Sequence, residues 1–193
     1  MTLAAFTETT ASPGPGRGDS ISSTTSVSGG PYTSPLATAK PIKYLIDAYS
    51  GSGLFTITQS VENQGSGDVA LYPYSRVVRQ GTPTVANFFI QHEGALGVLG
   101  SHNYVAKKYH DLQNDKQVRF DNSVGWLGFT DKYWATAIMA KPGAPVNATF
   151  YYSRPAGTDI YQTNYVETTP VIVGPGQTAT NESYVFAGAK EAH

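Results

Sequence analysis

Residues 125–140, GWLGFTDKYWATAIMA, hold both tryptophans of the chain and its densest apolar run. Trp126 to Phe129 suits a strand, and Asp131-Lys132-Tyr133 interrupts the pattern as a short connection does. From Trp134 onward, apolar residues fall on both parities. Trp134, Ile138 and Ala140 share one face, and Ala135, Ala137 and Met139 share the other. A strand apolar on both faces belongs in the middle of a packed sheet, so Trp134 is expected to be buried between two layers. Gly125 and Gly128 leave room where a backbone or a large ring approaches closely.

Working outward, the chain reads as β throughout. Phe55, Ile57 and Val61 alternate with Thr56, Thr58, Ser60 and Glu62, a half-buried antiparallel strand. Residues 63–67, NQGSG, form a turn. A strand over 69–80 follows, with Pro73 marking a bulge or an edge. Residues 85–93 read as another strand with Phe88 and Phe89 in the core. Residues 94–100, GALGVLG, read as an apolar connecting loop that tucks Leu96 and Leu99 inward, since no helix follows to make a phosphate cradle. Residues 104–112 read as a solvated strand and loop, and Val118 and Phe120 alternate with charges. Beyond the Pro/Gly turn at 141–145, strands are expected over 146–153 and 158–167. Residues 169–173 and 178–187 would make a last hairpin. Regularly spaced short strands with Gly/Pro turns indicate an all-β, antiparallel β-sandwich with little helix.

The first segment differs. Of residues 1–40, 24 are Ser, Thr, Gly or Pro, too little apolar surface to offset backbone entropy, so disorder is expected there. The tetrapeptide Arg17-Gly18-Asp19-Ser20 spells an integrin-recognition motif, which chance explains in such a composition. Residues 42–49, IKYLIDAY, suit a weak strand or one helical turn. No stretch approaches the roughly 18 apolar residues of a spanning helix. The opening MTLAAFTETTASPG has neither the basic start nor the apolar centre of a signal peptide.

The chain has 193 residues, 14% of them charged, and a formal net charge of -1, so no field favours nucleic acid or anionic lipid as a whole. Tyrosine, at 13, outnumbers phenylalanine at 8. There is no cysteine, which excludes disulfides, thiolate chemistry and cysteine-ligated zinc.

The wording of residues 125–140 closely resembles a segment of the periplasmic domain of the YidC membrane-protein insertases of Gram-negative bacteria. LFTITQSVEN (54–63), HEGALGVLG (92–100) and TPVIVGPGQTATNESYVFAGAK (169–190) resemble the same family in the same order. Four collinear stretches are far more specific than one. The resemblance runs from about residue 54 to the C-terminus. It implies the C-terminal portion of a mutarotase-like supersandwich, at the periplasmic face of the bacterial inner membrane. It also implies a non-catalytic role beside the Sec translocon and nascent membrane proteins. Residues 1–53 match nothing in the family and are read as disordered or foreign to the domain, as a frameshift or mispredicted start would make them.

The competing class is a sugar-binding or aldose-epimerase-like enzyme on the same sandwich. That chemistry needs a positioned base and acid. Glu93, Asp111, Asp131, Asp159 and Glu167 are the carboxylates available, and His92, His102, His110 and His193 the imidazoles. His92-Glu93 lacks the second histidine of a zinc-protease helix, and no other pair has ligand spacing. Asn147-Ala148-Thr149 and Asn181-Glu182-Ser183 spell glycosylation sequons that a bacterial origin makes irrelevant. The reading is therefore no catalytic residue, no cofactor and no metal. Trp126, Trp134 and Phe129 are assigned to the core; Tyr72, Tyr74, Tyr151, Tyr152, Tyr161 and Tyr165 are open to part exposure, with the core still the favoured place for them.

Overall fold

Alternating side chains need a sheet with one face against a core, and strand β3 (Leu54–Glu62) meets that need with Ile57 buried. The structure is a computed structural model that describes residues 21–25, 42–48, 53–84, 92–100 and 103–190, the first two runs as backbone only. Ahead of β3 come β1 (Ile21–Thr25) and β2 (Ile42–Ala48). After it follow β4 (Val69–Leu71), β5 (Tyr74–Gln80), β6 (Gly94–Leu99), β7 (Tyr104–Lys108) and helix α1 (Tyr109–Asp115). Strands β8 (Gln117–Ser123), β9 (Gly125–Thr130), β10 (Trp134–Ala140), β11 (Val146–Ser153), β12 (Ile160–Glu167), β13 (Val171–Val173) and β14 (Thr178–Ala189) complete the order.

The strands form an eight-stranded sheet, β1-β2-β3-β14-β10-β9-β6-β7, and a four-stranded sheet, β5-β12-β11-β8, with β13-β4 as a small pair. Adjacent strands are antiparallel. The two larger sheets pack face to face. Ile57, Leu99, Leu127, Phe129, Ile138 and Val185 come from the larger one, and Phe120, Val146, Phe150, Tyr161 and Tyr165 from the smaller. Helix α1 adds Tyr109 and Leu112 to that core. This is the all-β, antiparallel sandwich that turn spacing indicates.

Several local expectations change. Residues 94–99 are strand β6, not a loop: Ala95 and Leu99 are buried in the sheet, and Gly94 to Leu99 pair with β9. Glycines that read as loop punctuation serve close strand packing instead, since a Cβ on Gly97 would meet the Trp126 carbonyl at 2.6 Å. Residues 109–115 are a helix. Tyr109 and Leu112, three apart, are both buried, a helical spacing too short to stand out among polar neighbours. The expected last hairpin does not form: β13 pairs with β4, and β14 pairs with β3 and β10. Pro73 falls between β4 and β5.

Asn63 shows why the chain divides there. Its buried amide donates to Gly67 O at 2.8 Å and Val173 O at 2.7 Å, and its Oδ1 accepts from Gly65 N at 2.9 Å. Its backbone is bound to Gln177 and Gly176. One side chain thus ties the turn after β3 to the loop before β14. Of the first 53 residues, Ile21–Thr25 is β1 and Ile42–Ala48 is β2, which pairs with β3. The strand expected over 85–93, with Phe88 and Phe89, lies mostly outside the described residues, as does the rest of residues 1–52.

Candidate functional site

Strand β10 sits between β9 and β14, so its apolar residues on both parities do mark a central strand. Only one of its faces meets the second sheet. On that side Ile138 and Ala140 are buried. On the other, cross-strand registers set Met139 beside Trp126 and Tyr184, and Ala137 beside Gly128 and Phe186. Gly128 in turn faces Leu96, and Phe186 faces Leu54. These side chains bound an apolar groove of about 310 Å³ on the outer face of the large sheet. Thr136, Phe129 and Ala135 complete its lining. Trp126 is therefore half-buried, a groove wall more than a core residue.

Trp134 is the main correction. It is 55% exposed at the first position of β10, opposite Ala189. Its parity is that of Ile138, but parity cannot say how far along a strand the covering layer reaches. Tyr161, for which part exposure is left open but the core is favoured, goes to the core. It is fully buried, with its ring edge-on to Tyr109 at 4.6 Å and tilted against Tyr152 at 5.1 Å. Tyr152 and Tyr165 are buried as well, whereas Tyr151 is exposed.

A polar network surrounds those tyrosines. Gln113 Nε2 donates to the Tyr161 hydroxyl at 2.7 Å, and Thr82 Oγ1 lies 2.6 Å from that same hydroxyl. Thr82 donates to Asp159 Oδ2 at 2.7 Å, and the Tyr152 hydroxyl to Asp159 Oδ1 at 2.8 Å. Those hydrogen bonds, Thr82's foremost, hold the Asp159 carboxyl below the usual range. Asp131 accepts from Arg79 Nε at 2.9 Å and from the Tyr109 hydroxyl at 2.5 Å. Burial, reinforced by Asp131, pushes the Tyr109 hydroxyl far above its ordinary value. Both carboxylates are thus occupied in holding α1 and the strand ends together, and neither lines the groove.

The other candidates do not converge. His92 Nε2 lies 2.9 Å from Ala95 O, and His110 Nε2 is 3.3 Å from Asn114 Nδ2 on α1. Asp111 is on the exposed side of that helix, and His102 and His193 lie outside the described residues. Among the described residues no three His, Asp or Glu side chains gather as metal ligands, and no helix is long and apolar enough to cross a membrane.

Glu167 ends β12 on its inward parity and is only 9% exposed. Its Oε1 has no hydrogen-bond partner among the described residues, and burial raises its carboxyl above the ordinary 4.5 despite help from Asn181 and Lys141. A raised folded pKa means that protonation favours the fold. The cost of the charged form is present above the raised value and is relieved as pH falls through it toward 4.5. Glu167→Gln is expected to raise stability at pH 8 by on the order of 1 kcal/mol, with the gain vanishing by pH 4. Thermal melts of both chains across that range check it; a constant difference would refute it.

Residues 44–193 match the sequence profile of the YidC periplasmic domain. The chain is 43% identical over 140 residues to the membrane protein insertase YidC of Bradyrhizobium diazoefficiens, covering 72% of this chain and 22% of that protein. It is 40% identical over 146 residues to the YidC of Paracoccus denitrificans, covering 71% and 22%. The chain thus spans under a quarter of the length of these relatives. Among solved structures, a putative aldose 1-epimerase from Escherichia coli K12 matches with TM-score 0.48 and 16% identity, over 89% of this chain and 66% of that one.

Proposed function

The chain belongs to the YidC periplasmic-domain family, and on that premise we propose that it serves as a non-catalytic part of a membrane-protein insertase. The whole protein assists insertion and folding of inner-membrane proteins, alone or with the Sec translocon, and this part works at the periplasmic face of the inner membrane. The observation that carries the reading is the 43% identity over 140 residues to a YidC insertase. The groove fits it: an apolar trough bounded by Trp126, Met139, Tyr184 and Phe186 offers contact surface and no acid–base pair. Its partners are then nascent membrane proteins or translocon subunits, bound without covalent chemistry. Residues 54–193 are taken as the domain proper and residues 1–53 as lying outside the close match, although the family profile reaches residue 44 across β2.

A chimera tests this. This chain replaces the matching segment of the Bradyrhizobium insertase, with a photoreactive residue at position 139. Illumination during membrane-protein synthesis is expected to give adducts with nascent chains or translocon subunits. Adducts with neither would overturn the proposal, as would acceleration of aldose mutarotation by the purified chain that Asp131→Asn abolishes.

A further inference from the structure

The groove is not the only apolar feature of the large sheet. At one end, the turn between β9 and β10 carries Tyr133, 63% exposed, directly before Trp134. Asp131 N–H donates to the Trp134 carbonyl at 2.9 Å, and Lys190 N–H donates to the Tyr133 carbonyl at 2.8 Å, so the tip is held from both sides. Lys132 Nζ stands 4.9 Å from the centroid of the Tyr133 ring. Lys190 Nζ donates to Thr130 Oγ1 at 2.9 Å. Gly94 pairs with both Thr130 and Lys108, which brings exposed Lys108 to the same end.

Among the described residues the acids there are few. Asp131 is neutralised by Arg79. Glu93 is near enough to Lys132 to offset one of the lysines. Lys108, Lys132 and Lys190 against Glu93 leave this end net cationic among the described residues, although the chain as a whole carries -1. Tryptophan and tyrosine with lysine beside them are the residues that settle at the headgroup level of a bilayer, where the rings are wet on one side and dry on the other. A protein partner would need a seat surrounding the rings to exclude water. These rings instead project from a tight turn, a shape that enters a fluid surface.

We propose that the 131–134 turn, with Lys108 and Lys190 beside it, is a contact point for an anionic lipid surface, with Tyr133 and Trp134 entering the interfacial zone. The insertase reading supplies only the setting, a bilayer close by. The test uses the full chain with vesicles of phosphatidylcholine alone or mixed with phosphatidylglycerol, read by co-sedimentation and by tryptophan emission in a Trp126→Phe background, which leaves Trp134 as the reporter. Binding to the phosphatidylglycerol vesicles and a blue shift are expected. The Lys132→Gln/Lys190→Gln chain should bind more than tenfold more weakly, since each cation near such a surface adds roughly fivefold. The Tyr133→Ala/Trp134→Ala chain should lose binding, with far-ultraviolet circular dichroism confirming that it is folded. No binding, equal binding to both vesicle types, or binding unchanged in folded tip variants overturns the proposal. Defined vesicles hold no client or translocon, so that failure is separate from failure of the insertase reading, which the chimera decides.

Discussion

Tyr161→Ala is expected to shift the denaturant midpoint far more than Trp134→Ala. The Tyr161 ring is fully buried between the sheets, against Tyr109 and Tyr152. Removing so large a ring from a close-packed interior costs about 3–5 kcal/mol. The loss also strips the hydroxyl that Gln113 and Thr82 contact, loosening α1 from the sandwich. Since an ordinary domain has only roughly 5–15 kcal/mol in total, the variant should lose a large share of its stability. Trp134→Ala removes an exposed ring and should stay within about 0.5 kcal/mol of the parent. Tyr161→Phe keeps the ring and should fall between them. Equal midpoint shifts for Tyr161→Ala and Trp134→Ala would refute the burial assigned to both.

That ordering reverses what residues 125–140 suggest when read alone, and the reversal has a physical cause. Side-chain parity follows from the pleat, so the face on which Ile138 and Ala140 lie is legible in the sequence. The extent of the opposing layer is not, because it depends on a four-stranded sheet built from residues 74–167. Tyr161 had no local mark to separate it from Tyr151. Both sit in alternating strands, and only pairing decides that one faces the core and the other solvent. Likewise Ala135, Ala137 and Met139 were legible as apolar, but the absence of a described layer over them was not. Their groove is a property of the assembled sheet.

Turn chemistry was legible in kind and not in role. NQGSG announces a turn at 63–67, yet nothing in those letters indicates that the Asn63 amide also reaches Val173, 110 residues away. The hairpin expected of 169–187 is likewise replaced, with β13 paired to β4 and β14 to β3 and β10. The family, by contrast, was legible because four collinear stretches carry it independently of geometry. The candidate carboxylates were all visible as residue types. Their lack of convergence is a property of the fold, which ties Asp131 to Arg79 and Tyr109, and Asp159 to Thr82 and Tyr152.

Gly128→Ala is expected to abolish soluble, folded protein or lower its melting temperature steeply. Gly128 lies in β9 between Leu96 of β6 and Ala137 of β10. A Cβ built there would stand 1.8 Å from the Thr136 carbonyl oxygen and 2.7 Å from Ala137 Cα. Both neighbours are backbone, so no side chain can rotate away. Overpacking costs about 1–3 kcal/mol where side chains can yield. Here β10 must retreat from β9, giving up ladder hydrogen bonds that also set the position of β14, so the cost should exceed that range. The same retreat would splay the groove, because Trp126 and Met139 face each other across this pair. Gly67→Ala is the control: nothing lies within 4 Å of its added methyl, and the change should be within about 0.5 kcal/mol of neutral. Soluble yield and thermal melts of the two variants decide the matter. If Gly128→Ala melts with Gly67→Ala, strands β9 and β10 are not packed as closely as the register requires, and the groove between Trp126 and Phe186 loses its floor.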